Sequence, residues 1–154
     1  MTPEQKDGWV GWLAGRMSER RFIVVGHQPV DAGTMAALRA SLPPGTELRV
    51  VKGTLARLAA GRAGVPEALP LIAGPTALVF TDADLARAAA LIERSAAVEV
   101  RGAVEGDRLL PPSQVSAIAA IGSRERALAM ALSALRSPAA RTATALRARE
   151  SEIR

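Results

Sequence analysis

Lys52-Gly53-Thr54 is the stretch of this chain best suited to chemistry, and the chemistry it suits is the holding of an anion. Leu48, Val50 and Val51 supply the apolar and β-branched residues of a short strand, which turns at Lys52-Gly53 and starts a helix at Thr54. Gly53 permits a tight backbone, and Thr54 is expected to cap the helix by accepting a bond from an orphan amide. The start of such a helix offers unpaired N–H groups at the positive end of the helix dipole. With Lys52 beside it and Arg49 and Arg57 nearby, it suits a phosphate above all. Alone the signal is weak, because strand-turn-helix junctions with a lysine are common and many are only solvated turns.

Other chemistry lacks its residues. There is no cysteine, so disulfides and thiolate metal sites are excluded. His27 is the single histidine; it excludes multi-histidine metal clusters and leaves a serine nucleophile without a placed base. Neither G-x-x-x-x-G-K-[ST], G-x-G-x-x-G after a strand, nor G-x-S-x-G occurs. Asp82 and Asp84 are paired acids, but at a helix start they serve the cap and the dipole. The residues assemble no catalytic constellation, and neither a metal nor a cofactor is expected.

Composition narrows the anion. Two Trp, two Phe and no Tyr leave few platforms on which bases could stack, so nucleic-acid binding would lean on phosphate contacts. Net charge is +5 but unevenly placed: residues 1–62 hold nine Lys/Arg against five Asp/Glu, residues 63–122 four against seven, and residues 123–154 seven against three. A basic amino half can face an anionic partner on one side. The chain shows no basic-then-apolar leader and no apolar run near the roughly 20 residues of a membrane span, so a soluble cytoplasmic protein is expected.

The elements that must position the lysine loop alternate. Thr2-Pro3-Glu4-Gln5 starts a helix with Trp9, Val10, Leu13 and Met17 on one face. Phe22–Val25 reads as a buried strand with Gly26-His27-Gln28-Pro29-Val30 as its loop. Asp31 caps a second helix bearing Met35, Leu38 and Leu42, which Pro43-Pro44-Gly45 ends. Gly61 is expected to close the helix from Thr54. Thr76–Phe80 is a third strand, and Thr81 with Asp84 caps a helix with Leu85, Leu91 and Ile92. Val98–Arg101 is a half-buried strand, Glu105-Gly106-Asp107 a hairpin turn into Arg108-Leu109-Leu110, and Pro111-Pro112-Ser113 opens a small helix ending near Gly122. The fold class is α/β: a mixed, partly antiparallel sheet flanked by helices over residues 1–122. Residues 123–154 change character. Leu128, Ala131, Leu132 and Leu135 recur at helical spacing, Pro138 interrupts, and Ala139, Thr142, Ala143 and Leu146 continue a weaker stripe, with no strand to pack on. This is a projecting helix in search of a partner helix, or else one folded back on the sheet.

In order, these pieces resemble the large-subunit ribosomal protein L-ten family, the stalk-base proteins related to P-zero. Val50-Val51-Lys52-Gly53-Thr54-Leu55-Ala56-Arg57 is similar to the family's V-V-K-N-T-L-x-R, and Gly74-Pro75-Thr76-Ala77-Leu78-Val79-Phe80 to its G-P-T strand. Ile121-Gly122-Ser123-Arg124-Glu125 and Leu135-Arg136-Ser137-Pro138-Ala139 are similar to its L-P-S-R-E and Q-A-P-A junctions. The resemblance implies a cytoplasmic, ribosome-bound structural protein, with an α/β domain (1–122) that docks on large-subunit rRNA beside ribosomal protein L-eleven. It also implies a spine helix (123–154) that binds L-seven/L-twelve-type stalk dimers, which recruit translational GTPases. Carried over by position, Lys52, Thr54 and Arg57 match the rRNA-facing segment, and Gly53 falls within it; Arg49 is added on charge and position, and Lys6 is included with them. Leu128, Leu132, Leu135, Ala139 and Leu146 fall on the stalk-binding stripe. Two departures stand out: Gly53 replaces an Asn, and His27-Gln28-Pro29-Val30 replaces a loop that usually carries R-G. The alanine-rich stripe implies few stalk dimers, one or two, or a partner that is itself unusual. Two alternatives are a ribosome-assembly paralogue without a working spine and, from another class, a small enzyme using the Lys52 loop for a phosphorylated metabolite.

Overall fold

Thr2 opens the first helix, α1 (Pro3–Ser18), with a reciprocal cap: its hydroxyl accepts from the Gln5 N–H at 3.2 Å, and the Gln5 side-chain oxygen accepts from the Thr2 N–H at 2.9 Å. The structure, a computed structural model, describes residues 2–29, 31–82, 84–122, 126 and 128–136. Two compact units divide after Gly122.

In the first unit α1 is followed by β1 (Arg21–His27), α2 (Ala32–Ser41), β2 (Thr46–Val51), α3 (Gly53–Ala63), a 3-10 helix (Pro66–Leu71), β3 (Thr76–Thr81), α4 (Leu85–Glu93), β4 (Val98–Glu105), β5 (Arg108–Leu110) and α5 (Pro112–Ile121). The strands form one sheet in the order β2-β3-β1-β4-β5, and each neighbouring pair is antiparallel, the expected hairpin at Gly106 being one of four such pairings.

Side chains alternate across the strands and so feed two cores. Phe22, Val24, Val51, Leu78, Phe80 and Val104 pack with Val10, Leu13 and Met17 of α1 and Ala56, Ala59 and Ala60 of α3. Ile23, Val25, Leu48, Ala77 and Val79 pack on the other face with Met35 and Leu38 of α2, Ala88, Ala89 and Ile92 of α4, and Val115 and Ala119 of α5. Every residue of β3 is buried, as are Phe22 to Gly26 of β1. An uninterrupted apolar run is what a strand covered on both faces requires.

Several boundaries differ from the sequence reading, each for a local reason. The strand from Phe22 runs on through Gly26 and His27 because both still pair with β4, which shortens the following loop. The strand from Val98 runs to Glu105, pairing with the whole of β1. Helix α3 continues past Gly61 and ends where Gly64 turns left-handed at φ 70°, its N–H bonding Gly61 O. Asp84, not Thr81, caps α4 by accepting from the Ala86 N–H at 3.0 Å; Thr81 ends β3, with its hydroxyl 3.1 Å from that of Thr46. Asp31 stands at the cap of α2, but its carboxylate accepts from the Thr34 hydroxyl, which holds it below the usual carboxylate range. The 3-10 helix has no counterpart in the sequence reading.

In the second unit residues 128–136 are helical, with Leu128, Met130, Leu132 and Leu135 all exposed. Ala139, Leu146, the junction at Ser123-Arg124-Glu125 and the break at Pro138 lie outside the described residues.

The first core is centred on Phe80, whose ring lies 5.9 Å from Phe22 and edge-on to Trp12 at 6.5 Å, with the Arg16 guanidinium 5.4 Å over it. Phe80→Ala is expected to destabilise the domain by about 3–5 kcal/mol. Urea denaturation followed by tryptophan fluorescence checks this; a loss under about 1 kcal/mol would show that the cavity collapses.

Candidate nucleic-acid interface

Four strand ends meet at one end of the sheet: His27 closes β1, Val51 closes β2, Thr76 opens β3 and Val98 opens β4. Helix α3 starts here, one residue after β2. Lys52 occupies its cap in extended backbone (φ −75°, ψ 125°) and no side chain closes the first turn. Thr54 is therefore not the cap: it is the second residue of the helix, and its exposed hydroxyl has no hydrogen-bond partner among the described residues. The first helical hydrogen bond runs from the Ala56 N–H to Lys52 O at 2.9 Å, which leaves the amides of Gly53, Thr54 and Leu55 before it. The Lys52 ammonium is exposed, with no ion-pair partner among the described residues. Uncapped amides, a free hydroxyl and a free ammonium at a helix start form an anion-ready surface.

Beside it lies the loop 72–75, held from two sides. Arg57, one turn into α3, donates from Nε and Nη2 to Ile72 O at 3.1 and 2.9 Å. Arg101 of β4 donates from Nη1 to Ala73 O and, at 3.1 Å, to the hydroxyl of buried Thr76. That hydroxyl donates in turn to Gly74 O at 3.0 Å. Gly74 needs its glycine, being left-handed at φ 65°. Its carbonyl oxygen is the nearest atom to a Cβ built on Gly53, at 3.4 Å, an ordinary contact, and Gly53 itself has no left-handed φ. The tight backbone expected of Gly53 belongs to Gly74. The V-V-K-G-T and G-P-T segments, 20 residues apart in the chain, are thus neighbours, joined also by the pairing of Val51 with Thr76.

The other expected contacts sit differently. Arg49 points from the edge strand to the α1 face, where its Nε donates to Glu47 at 2.6 Å and its guanidinium lies 5.4 Å over the Trp12 ring. Lys6 is exposed on α1 beside Asp7, whose carboxylate pairs with Arg62 at 2.6 Å. That bridge ties this part of α1 to the last turn of α3, about 15 Å of helix from its start. The structure therefore groups Lys52, Gly53, Thr54 and Arg57, and sets Arg49 and Lys6 apart. His27 sits at the site's rim, with its N–H on Pro75 O at 3.3 Å and its Nδ1 2.9 Å from Gln28 O. Sequence reading misses Arg101, because periodicity marks it only as a residue of a half-buried strand. Among the described residues no three His, Asp or Glu side chains converge on a metal-sized site, and no helix is long and apolar enough to cross a membrane.

Comparison with known proteins gives these positions a context. Residues 1–97 match the family model described as Ribosomal protein L10, the L-ten family of the resemblance above. The chain is 31% identical to the large ribosomal subunit protein uL10 of Rubrobacter xylanophilus over 90% of this chain and 82% of that one. It is 36% identical to the protein of the same name from Thermomicrobium roseum (75% and 68% covered), and 32% identical to that of Chloroflexus aggregans (90% and 82%).

The two glycines of the site should respond in opposite ways. Gly53→Asn meets only an ordinary contact in helical backbone and is expected to leave stability within about 0.5 kcal/mol. Gly74→Ala forces a Cβ into left-handed backbone and should cost about 1–2 kcal/mol. Chemical denaturation of both variants checks the pair, and equal costs would contradict the assignment of the turn to Gly74.

Proposed function

The chain belongs to the ribosomal protein L10 family, and from that membership we propose that it is a structural component of the large ribosomal subunit that docks on rRNA through the start of α3. The observation that carries this reading is the uncapped first turn of α3 with free Lys52 and Thr54, in a chain with relatives named as large-subunit proteins. Lys52 supplies the mobile charge, Thr54 and the amides of Gly53 to Leu55 supply donors, and Arg57 adds positive potential beside them. Arg49 and Lys6 contribute at the periphery, Arg49 the less because Glu47 offsets its charge. No catalytic role is part of this reading. Ribosomal protein L-eleven is the proposed neighbour.

The helix over residues 128–136 supports the second half of the reading. Leu128, Leu132 and Leu135 are spaced i, i+4 and i+7 and are 62%, 47% and 76% exposed. That is an apolar stripe along one helix face, the form in which one helix binds another. We propose that it holds L-seven/L-twelve-type stalk dimers, with Ala139 and Leu146 continuing the stripe.

Two measurements test the halves separately. Binding of the full chain to a transcribed large-subunit rRNA fragment should weaken steeply between roughly 50 and 200 mM salt. Lys52→Ala should lower affinity at all sequences alike and reduce the salt slope by about 1; an unchanged slope and affinity would remove Lys52 from the interface. Leu128→Asp with Leu132→Asp, both at exposed positions, should leave that binding intact and abolish capture of stalk dimers in a pull-down. Capture at the parent level would overturn the spine assignment.

A further inference from the structure

We propose that Arg101 is the positioning residue of this interface: a β-bulge aims it across Gly26 so that it holds the loop 72–75 against the start of α3. The inference rests on the rRNA reading above and adds to it a residue outside both the matched segment 1–97 and the lysine loop.

The bulge is read from the register of β1 on β4. Val24 faces Gly102 and Val25 faces Val100, so Arg101 is the extra residue of β4. A bulge of this kind re-aims a side chain, and here it turns the guanidinium back over β1. The crossing needs a gap. A Cβ on Gly26 would stand 2.7 Å from Nε and Nη2 of Arg101 and 2.9 Å from Cζ, so a glycine at that point of β1 is what lets the guanidinium pass.

Beyond Gly26 the guanidinium meets two acceptors, Ala73 O and the Thr76 hydroxyl. Thr76 is fully buried, and its hydroxyl accepts from Arg101 while donating to Gly74 O. Bonds in such a chain polarise one another. The pull of Arg101 therefore ends on the Gly74 carbonyl, the group that borders Gly53. Arg57 holds Ile72 O, the carbonyl before Ala73 O, from the α3 side. Two guanidiniums on successive carbonyls fix the loop that flanks the free amides. Arg101 thus acts on the phosphate site through the loop, as a positioning residue and not as a contact.

Salt dependence separates the two roles, because a lost phosphate contact flattens the slope and a displaced loop does not. Arg101→Met removes the clamp along with a charge. Gly26→Ala displaces the clamp and keeps the charge, and the fold tolerates it because the clashing atoms end a flexible side chain. Both full-length variants, with Lys52→Ala beside them, would be titrated with the large-subunit rRNA fragment and their amide resonances recorded. Both are expected to melt with the parent, to bind about tenfold more weakly with an unchanged salt slope, the scale of one charge-assisted hydrogen bond, and to shift the Gly53 and Thr54 amide signals. If Arg101→Met does not fold, Gly26→Ala decides alone. Parent-like affinity for Gly26→Ala overturns the proposal, and a slope flattened by about 1 in Arg101→Met would then make Arg101 a direct phosphate contact. If instead Lys52→Ala leaves affinity and slope unchanged, the rRNA reading of the site fails, whatever Arg101 does.

Discussion

Because β1 and β3 are covered on both faces, the middle of the sheet has nowhere to carry polar chemistry except at strand ends and sheet edges. The constraint begins with alternating side chains: Phe22, Val24, Leu78 and Phe80 enter one core while Ile23, Val25, Ala77 and Val79 enter the other. A charged side chain on the middle of either strand would lose its water without a partner to replace it. The two ends of the sheet have resolved this differently. At the end where β1 begins, Arg20 (itself left-handed at φ 52°) closes the structure by donating to Glu67 at 2.8 Å, Gly64 O at 2.6 Å and Gly106 O at 3.2 Å. At the opposite end, arginines hold the loop instead, and Lys52 and the α3 amides are left open.

That asymmetry makes one end a staple and the other a surface. Arg57 and Arg101 are not spare charges, since their donors go to backbone carbonyls. Yet each keeps its full positive charge, because a carbonyl bond orients a guanidinium without neutralising it. The contrast is with Arg49, Arg62 and Arg16, each within 3.5 Å of a carboxylate. A neutral anchor holds each cation in place without setting a carboxylate beside the free amides, which would offset the positive end of the helix dipole.

Much of this was legible in the residues. The capping box at Thr2, the buried run Phe22–Val25, the hairpin at Gly106 and the helix face of Val10, Leu13 and Met17 are local or periodic signals, and local signals survive folding. The anion-ready character of Lys52-Gly53-Thr54 was legible too, though the cap was misassigned by two residues: Thr54 carries a typical cap side chain, but β2 ends so close to it that Lys52 already has the cap's extended backbone. What could not be read is everything that depends on register. The Arg101 side chain turns back over β1 because β1 and β4 slip by one residue at Val24/Val25, and no composition or period announces such a slip. Gly26 looked like a loop glycine, and only the crossing guanidinium shows its use. Gly53 drew attention that Gly74 deserved, since a left-handed φ is a property of the folded turn.

The same accounting explains why the start of α3 suits a phosphate backbone and not bases. All four aromatic residues lie in or beside the first core: Phe22 and Phe80 are buried together, Trp9 packs against that core with its ring 6.4 Å from Trp12, and Trp12, still 41% exposed, has the Arg49 guanidinium 5.4 Å over its ring. None stands among the strand ends at Lys52. A surface of amides, a hydroxyl and one ammonium offers donors to phosphate oxygens but no face on which a base could stack. Gly53 offers no side chain with which to read an edge, while the first-turn amides stay where the helix puts them, because Gly53 keeps helical backbone. Affinity at such a site depends on geometry as much as on charge, and geometry here is the position of one loop between two guanidiniums.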